Sequence, residues 1–199
     1  MPSKASLIRQ LTDEIINLKK SPLYAYRVKN NYQPVVGAGS LNAKIVFIGE
    51  APGKNEALTG LPFIGASGKV LDQLLASINL KRENVYITSI VNDRPPENRD
   101  PSPAEIKLYA PFLLRQLEII KPKIIATLGR YSMNVIMSEF GLAEKLEPIS
   151  AAHGKTYATT ATWGRVGIVP LYHPAVALYN GSKRKQLLED ITILTSAKQ

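Results

Sequence analysis

The sequence has no cysteine, two histidines and a single tryptophan. Without cysteine there are no disulfides, thiolate metal sites or cysteine-ligated iron–sulfur clusters. No apolar run approaches the roughly 20 residues that a membrane helix needs. Residues Met1 to Lys20 mix charged and apolar positions and lack the unbroken apolar core of a signal peptide, which predicts a cytoplasmic protein. Negative charge is also scarce: 16 Asp and Glu stand against 25 Lys and Arg, a net charge of +9 with a pI near 9.7. That balance suits a polyanionic partner, nucleic acid first, as well as an ordinary soluble basic protein.

The 199 residues are 45% hydrophobic and 21% charged, which excludes wholesale disorder and suits one domain with a sizeable core. Residues 1–42 read as an N-terminal helix, carried by Ile8, Leu11, Ile15, Ile16 and Leu18, followed by loop. Strands and helices then alternate. Short apolar runs at Lys44–Gly49, Asn84–Thr88, Lys123–Leu128 and Gly167–Leu171 predict four buried strands. Helices are expected around Val70–Ile78, from Ser102 to Ile120, over Arg130–Glu139 and from Ser182 to Ser196, with a hairpin arm over Thr156–Trp163. Ser102 and Glu105 form a capping box with Pro103 at the first helical position. The pattern predicts a three-layer α/β/α sandwich on a central, mainly parallel four-stranded sheet.

Ligands of such sheets bind beyond the carboxyl ends of the strands. Those ends carry the unusual chemistry of this chain. Gly49-Glu50-Ala51-Pro52-Gly53 is a rigid turn with a carboxylate and exposed N–H groups, a ligand cradle or simply a strand-ending turn. Phe63, in the Gly60–Gly65 loop, reads as a stacking platform for a planar base or as core filling. Gly65-Ala66-Ser67-Gly68-Lys69-Val70 imitates the end of a phosphate-binding loop. Val70 stands where Ser or Thr must bind magnesium and Phe63 replaces the first glycine, so nucleotide hydrolysis is excluded. Arg94 and Arg99 sit on a proline-stiffened loop, a phosphate clamp or an ordinary charged loop. His173-Pro174 follows the last strand, where a neutral imidazole can donate to developing negative charge. His153 reads as surface or loop structure. Lys183, Arg184 and Lys185 at a helix start oppose its dipole unless a phosphate binds there; the alternative is a solvated charge run.

Together these residues resemble the uracil-DNA glycosylase superfamily, closest to family 4, the type that usually carries an iron–sulfur cluster. The resemblance runs from about Leu18 to Leu194. It rests on Gly49-Glu50-Ala51-Pro52-Gly53, Gly60-x-Pro62-Phe63-x-Gly65, Arg94-Pro95-Pro96-x-Asn98-Arg99 and His173-Pro174-Ala175. It implies a monomeric enzyme that hydrolyses the N-glycosidic bond of a flipped nucleotide in uracil-containing DNA. Glu50, Ala51, Pro52 and Gly53 would frame the base, Phe63 would stack on it, and His173 would donate to its O2. Glu50 would also position water or stabilise the sugar cation. Arg94, Arg99, Lys183, Arg184 and Lys185 would contact DNA, and Leu178 or Tyr179 would wedge into the duplex.

Two departures stand out. The cluster cysteines of the family fall at Leu18, Ser21, Asp93 and Tyr109, so no cluster is expected and no cofactor is implied. Ser89 replaces a base-reading Asn, and a hydroxyl has one donor and a shorter reach than an amide. That substitution opens the alternatives of another or broader deaminated base, such as hypoxanthine or xanthine, and of a damaged-DNA-binding protein without catalysis.

Overall fold

The computed structural model describes residues 2–198. The chain begins with α1 (Lys4–Ile16), α2 (Tyr24–Lys29), β1 (Ala38–Gly39), β2 (Ile45–Gly49), α3 (Lys54–Thr59), α4 (Ala66–Ser77) and β3 (Tyr86–Ser89). It continues with α5 (Pro103–Ile120), β4 (Ile124–Leu128), α6 (Arg130–Glu139), α7 (Ile149–Ala152), β5 (Tyr157–Ala161), β6 (Gly164–Leu171) and α8 (Gly181–Asp190).

β2, β3 and β4 are buried along their whole length, which is why they appear in the sequence as mainly apolar runs, with Thr88, Ser89 and Thr127 as buried polar members. Their side chains alternate between two cores. Val46 and Ile48 of β2 face Leu11, Leu113, Leu117 and Ile136 of α1, α5 and α6. Ile45 and Phe47 face Leu71, Leu74 and Leu187 of α4 and α8. The result is the expected three-layer α/β/α sandwich.

The sheet itself is wider than expected, with six strands in the order β1-β3-β2-β4-β6-β5. The four predicted strands form its parallel centre, and an antiparallel strand closes each edge. β5 is the predicted hairpin arm. It alternates half-buried and exposed residues, as an edge strand with one solvated face does. β1 has only two residues, too few to show a period. Its Gly39 lies so close to β3 that a Cβ would meet the Val85 carbonyl oxygen at 1.9 Å.

Further differences are local, the short helices α3 and α7 among them. The stretch read as loop contains the six-residue α2, shorter than the window over which helical periodicity is visible. The C-terminal helix ends at Asp190 and continues as a 3-10 turn, Ile191–Lys198, which still buries Ile191 and Leu194.

Register places Gly49 beside Ser89 and Leu128 beside Leu171, so the parallel strands end flush and their following turns share one rim. α5 is tied to this rim at its start. Ser102 Oγ accepts from the Glu105 N–H, Glu105 accepts from the Ser102 N–H at 2.7 Å, and Arg99 grips the same carboxylate at 2.6 and 2.9 Å. Ser102→Ala removes the cap and is expected to cost about 1 kcal/mol, lowering Tm by about 2–4 °C in a calorimetric scan.

Candidate active site

The rim holds a hollow of about 400 Å³, lined by Ala51, Pro52, Gly53, Phe63, Ser89 and His173 among the residues anticipated from sequence. Val35, Glu56, Pro62, Ser67, Asn98 and Ala175 complete the lining. A larger open groove of about 520 Å³ lies against α1 and α2, but its one charged lining residue, Arg27, is spent elsewhere in the fold.

Phe63 is held in a backbone conformation that few aromatic residues adopt, with φ at 51°. Three features hold it there. Glu56 accepts the N–H groups of Ile64 and Gly65 at 3.0 and 2.9 Å, which pins the turn. Arg82 donates to the Pro62 carbonyl while pairing with Asp72. Gly68 lets α4 approach so closely that a Cβ there would lie 1.8 Å from the Phe63 carbonyl oxygen. The ring is largely buried, at 8% exposure, so it serves both as core and as pocket wall. Gly49 leaves space for it, since a Cβ would meet the ring at 2.6 Å.

His173 stands 5.8 Å from the Phe63 ring, centroid to centroid. Burial pushes its imidazole down to about 4, so it is neutral at physiological pH. The Ala175 backbone N–H, which can only donate, points at His173 Nδ1 at 3.2 Å. The remaining proton therefore sits on Nε2, leaving that nitrogen a donor.

The Glu50 carboxylate is not part of the hollow's lining. It is half-buried within Coulombic reach of Asp100 and Arg130, and burial, reinforced by Asp100 and opposed by Arg130, pushes it up to about 7. Asp100 accepts from Tyr131 and, at 3.4 Å, from Arg130.

The basic residues divide. Arg94 is drawn inward: Nη1 donates to the Tyr26 and Tyr32 hydroxyls at 3.2 and 2.9 Å, and Nε donates to Asn98 Oδ1 at 2.8 Å. Arg99 is bidentate on Glu105. The loop that reads as a phosphate clamp thus gives both guanidinium groups protein partners, Arg94 partly buried and Arg99 still exposed. Lys183 donates to the Tyr172 hydroxyl at 2.7 Å and lies over that ring. Arg184 and Lys185 are exposed, and Arg184 reaches Gln73. The start of α8 is occupied by its own Asn180, whose Oδ1 accepts from the Ser182 and Lys183 N–H groups, so no phosphate is needed to cap it. Leu178 and Tyr179 are 40% and 90% exposed on the turn after His173. His153 is in a loop as expected, but partly buried, with Nδ1 2.7 Å from Asp190 and its ring on Tyr172.

The positions aligned with cluster cysteines converge. Ser21 Oγ donates to the Tyr109 hydroxyl at 2.8 Å, and Tyr109 donates to Asp93 Oδ2 at 2.5 Å. Arg27 Nη1 reaches both Asp93 oxygens and the Ile15 carbonyl. Leu18 is buried in the same core as Tyr109. An alkyl chain, a hydroxyl, a carboxylate and a phenol do not fit a thiolate-ligated cluster, and the three oxygen-bearing side chains already have protein partners. Among the described residues, no group of three or more His, Cys, Asp or Glu is placed to hold a metal ion. Burial raises Asp93 above the usual carboxylate range, while Tyr109 and Arg27 push it back down.

Glu56 and Asn98 escaped attention in the sequence. Glu56 had only its place six residues after Glu50 to mark it. Asn98 belonged to a quoted motif, but nothing local distinguishes a pocket amide from a turn amide.

A buried aromatic face, a neutral imidazole donor and a backbone cradle at the rim of a parallel sheet define an α/β protein with a pocket for a flat, hydrogen-bonding ligand. A family model described as the uracil DNA glycosylase superfamily matches residues 36–192. A Type-4 uracil-DNA glycosylase of Archaeoglobus fulgidus is 44% identical over 177 residues, covering 89% of this chain and 86% of that one. Its counterpart from Thermotoga maritima is 36% identical over 194 residues, covering 96% and 94%. A DNA polymerase of Bacillus phage SP01 is 32% identical over 167 residues, 83% of this chain and 17% of the polymerase. The chain belongs to the uracil-DNA glycosylase superfamily.

Asp93 and Arg27 are 0% and 6% exposed, so removing one strands the other's charge in the core. Asp93→Ala is expected to cost about 3–5 kcal/mol, read from denaturant unfolding. A loss below about 1 kcal/mol contradicts a structural role for the pair.

Proposed function

We propose that this protein excises uracil from DNA by hydrolysing the N-glycosidic bond of a flipped nucleotide, acting in base excision repair. The observation that carries the reading is the pairing of Phe63 and His173 across one hollow, in a chain of this family. We read it as a single-domain, monomeric, cytoplasmic enzyme; among the described residues no helix is long and apolar enough to cross a membrane.

In this mechanism the extruded base lies against Phe63, which offsets part of the few kcal/mol needed to unstack it. The turn Ala51-Pro52-Gly53 and Ser89 border its edge. As the glycosidic bond breaks, electrons move onto the base, and negative charge grows on O2. His173 Nε2–H donates to that oxygen. Being neutral already, it stabilises the anion without first giving up a proton. Ionised Glu50, beside the rim, orients water or stabilises the cationic sugar; water adds to the sugar carbon, and the proton it loses ends on the departing uracil anion. Leu178 and Tyr179 fill the vacated place in the duplex, and the exposed Arg184 and Lys185 meet its phosphates.

Ser89 supports a second reading, in which the same pocket accepts another or a wider set of deaminated bases. A panel of oligonucleotides bearing uracil, hypoxanthine and xanthine separates the two, because a strong preference for uracil removes the second. A third reading, damaged-DNA binding without catalysis, predicts tight binding and no free base.

The decisive assay is release of free uracil from an oligonucleotide, with His173→Ala as comparison. Loss of the donor is expected to slow release by about 10²–10³-fold. Equal rates for the two proteins would remove His173 from the chemistry, and no release by wild type would end the enzyme reading.

The pH profile tests Glu50. The carboxylate works ionised and its pKa is raised to about 7, so activity should climb with pH through about 7. His173, neutral above about 4, contributes no falling limb across that interval. Asp100→Asn removes a negative neighbour and should move the midpoint to lower pH; a midpoint that stays in place argues against Glu50 as the titrating group.

A further inference from the structure

With Ser89 in the wall, the side-chain amide lining the hollow is Asn98. Its orientation is decided by Arg94. Arginine nitrogens only donate, so the Asn98 atom 2.8 Å from Arg94 Nε must be the carbonyl oxygen. Arg94 cannot easily turn away. Its Nη1 is tied to the Tyr26 and Tyr32 hydroxyls, and the guanidinium lies 5.4 Å from the centre of the Tyr32 ring. Those two tyrosines pack edge to face, one in α2 and one just beyond it. Among the described residues no partner holds the Asn98 amide nitrogen.

The backbone adds a second observation. Glu97 and Asn98 both adopt positive φ, 56° and 54°, directly after Pro95 and Pro96. Two successive non-glycine residues in this region carry backbone strain that persists only where surroundings impose it. Here the prolines and Arg94 impose it, and the outcome is an amide at the wall of the pocket.

We propose that Asn98 is a specificity-determining residue that offers the base a donor and no acceptor, and that Arg94 is the positioning residue that keeps it so. The inference rests on the base-excision reading. With His173 assigned to O2, Asn98 Nδ2–H would donate to the keto oxygen on the far side of the pyrimidine, O4. Deamination replaces an exocyclic amino group with a keto oxygen. A donor-only wall therefore accepts the damaged base and sets amino against amino for cytosine, whose N4 group would lose its partner and face another donor. A free amide can rotate to offer either atom; this one is denied that choice. A different residue thus does the base reading that Ser89 cannot do.

The test pairs protein and substrate changes. Single-turnover release is measured from oligonucleotides bearing uracil or 4-thiouracil, whose sulfur accepts hydrogen bonds poorly. Wild type, Asn98→Ala, Asn98→Asp and Arg94→Lys are compared after their melting temperatures have been checked. Asn98→Ala should lose about 10-fold on uracil, and Asn98→Asp, which puts an acceptor there, should lose about 100-fold or more. The 4-thio substitution should slow wild type by about 10-fold and leave Asn98→Ala almost unaffected, because the contact it weakens is already gone. Arg94→Lys lacks the Nε–H and frees the amide, so its 4-thio penalty should shrink while its melting temperature holds.

Wild-type uracil release together with an undiminished 4-thio penalty in Asn98→Ala overturns the Asn98 assignment and leaves the glycosylase reading intact. An unchanged penalty in Arg94→Lys overturns the positioning role alone. No release by wild type overturns the glycosylase reading, and this inference falls with it.

Discussion

The carboxylate of Asp93 is fully buried on the loop that follows β3, and a buried charge must be answered. Its answer organises this side of the molecule. Arg27 crosses from α2 to meet it and also takes the carbonyl oxygens of Ile15 and Ile16 at the end of α1. Tyr109 meets it from α5 and brings Ser21 with it. One ionic group thereby fastens three separate stretches of chain behind the pocket. Arg94 is the next residue along. Its partners Tyr26 and Tyr32 belong to the segment that Arg27 secures, so the wall carrying Asn98 depends on the same anchor.

In front of that anchor, burial sets opposite protonation behaviour on the two titratable groups nearest the chemistry. It disfavours charge on both. For an imidazole this means a neutral donor ready at any ordinary pH; for Glu50 it means a carboxylate kept near its midpoint, with Asp100 adding to the effect and Arg130 limiting it. The proton on His173 is directed by an ordinary backbone N–H, so the useful tautomer requires no further side chain.

Much of this was legible in the sequence. Buried parallel strands announce themselves as apolar runs, and the Ser102–Glu105 box marked the start of α5 to the residue. The rim turns followed from where the strands stop, which is how Ala51, Pro52, Gly53, Phe63 and His173 were found together. Other features were hidden for physical reasons. β1 is too short to have a period, and α2 is held by one arginine rather than by an apolar stripe. The capture of Arg94 by Tyr26 and Tyr32, and of Arg99 by Glu105, depends on partners that the loop's own sequence does not reveal. Position in the chain puts Glu50 at the cradle, yet its carboxylate faces Asp100 and Arg130, because the residue after a strand end is free to leave the axis of its neighbours.

The fastening of Ser21, Asp93, Tyr109 and Arg27 consists of side chains alone. It is complete when the chain has folded, and its assembly waits on no metal-delivery machinery. Hydroxyl, phenol, carboxylate and guanidinium groups resist dioxygen and peroxide at levels that dismantle exposed iron–sulfur centres. They leave one acid–base sensitivity: burial raises the Asp93 carboxyl, so the folded protein holds that proton more readily than the unfolded chain does. Through that group the fold is favoured as pH falls and opposed as it rises, so this side of the protein answers to alkali rather than to a burst of oxidant.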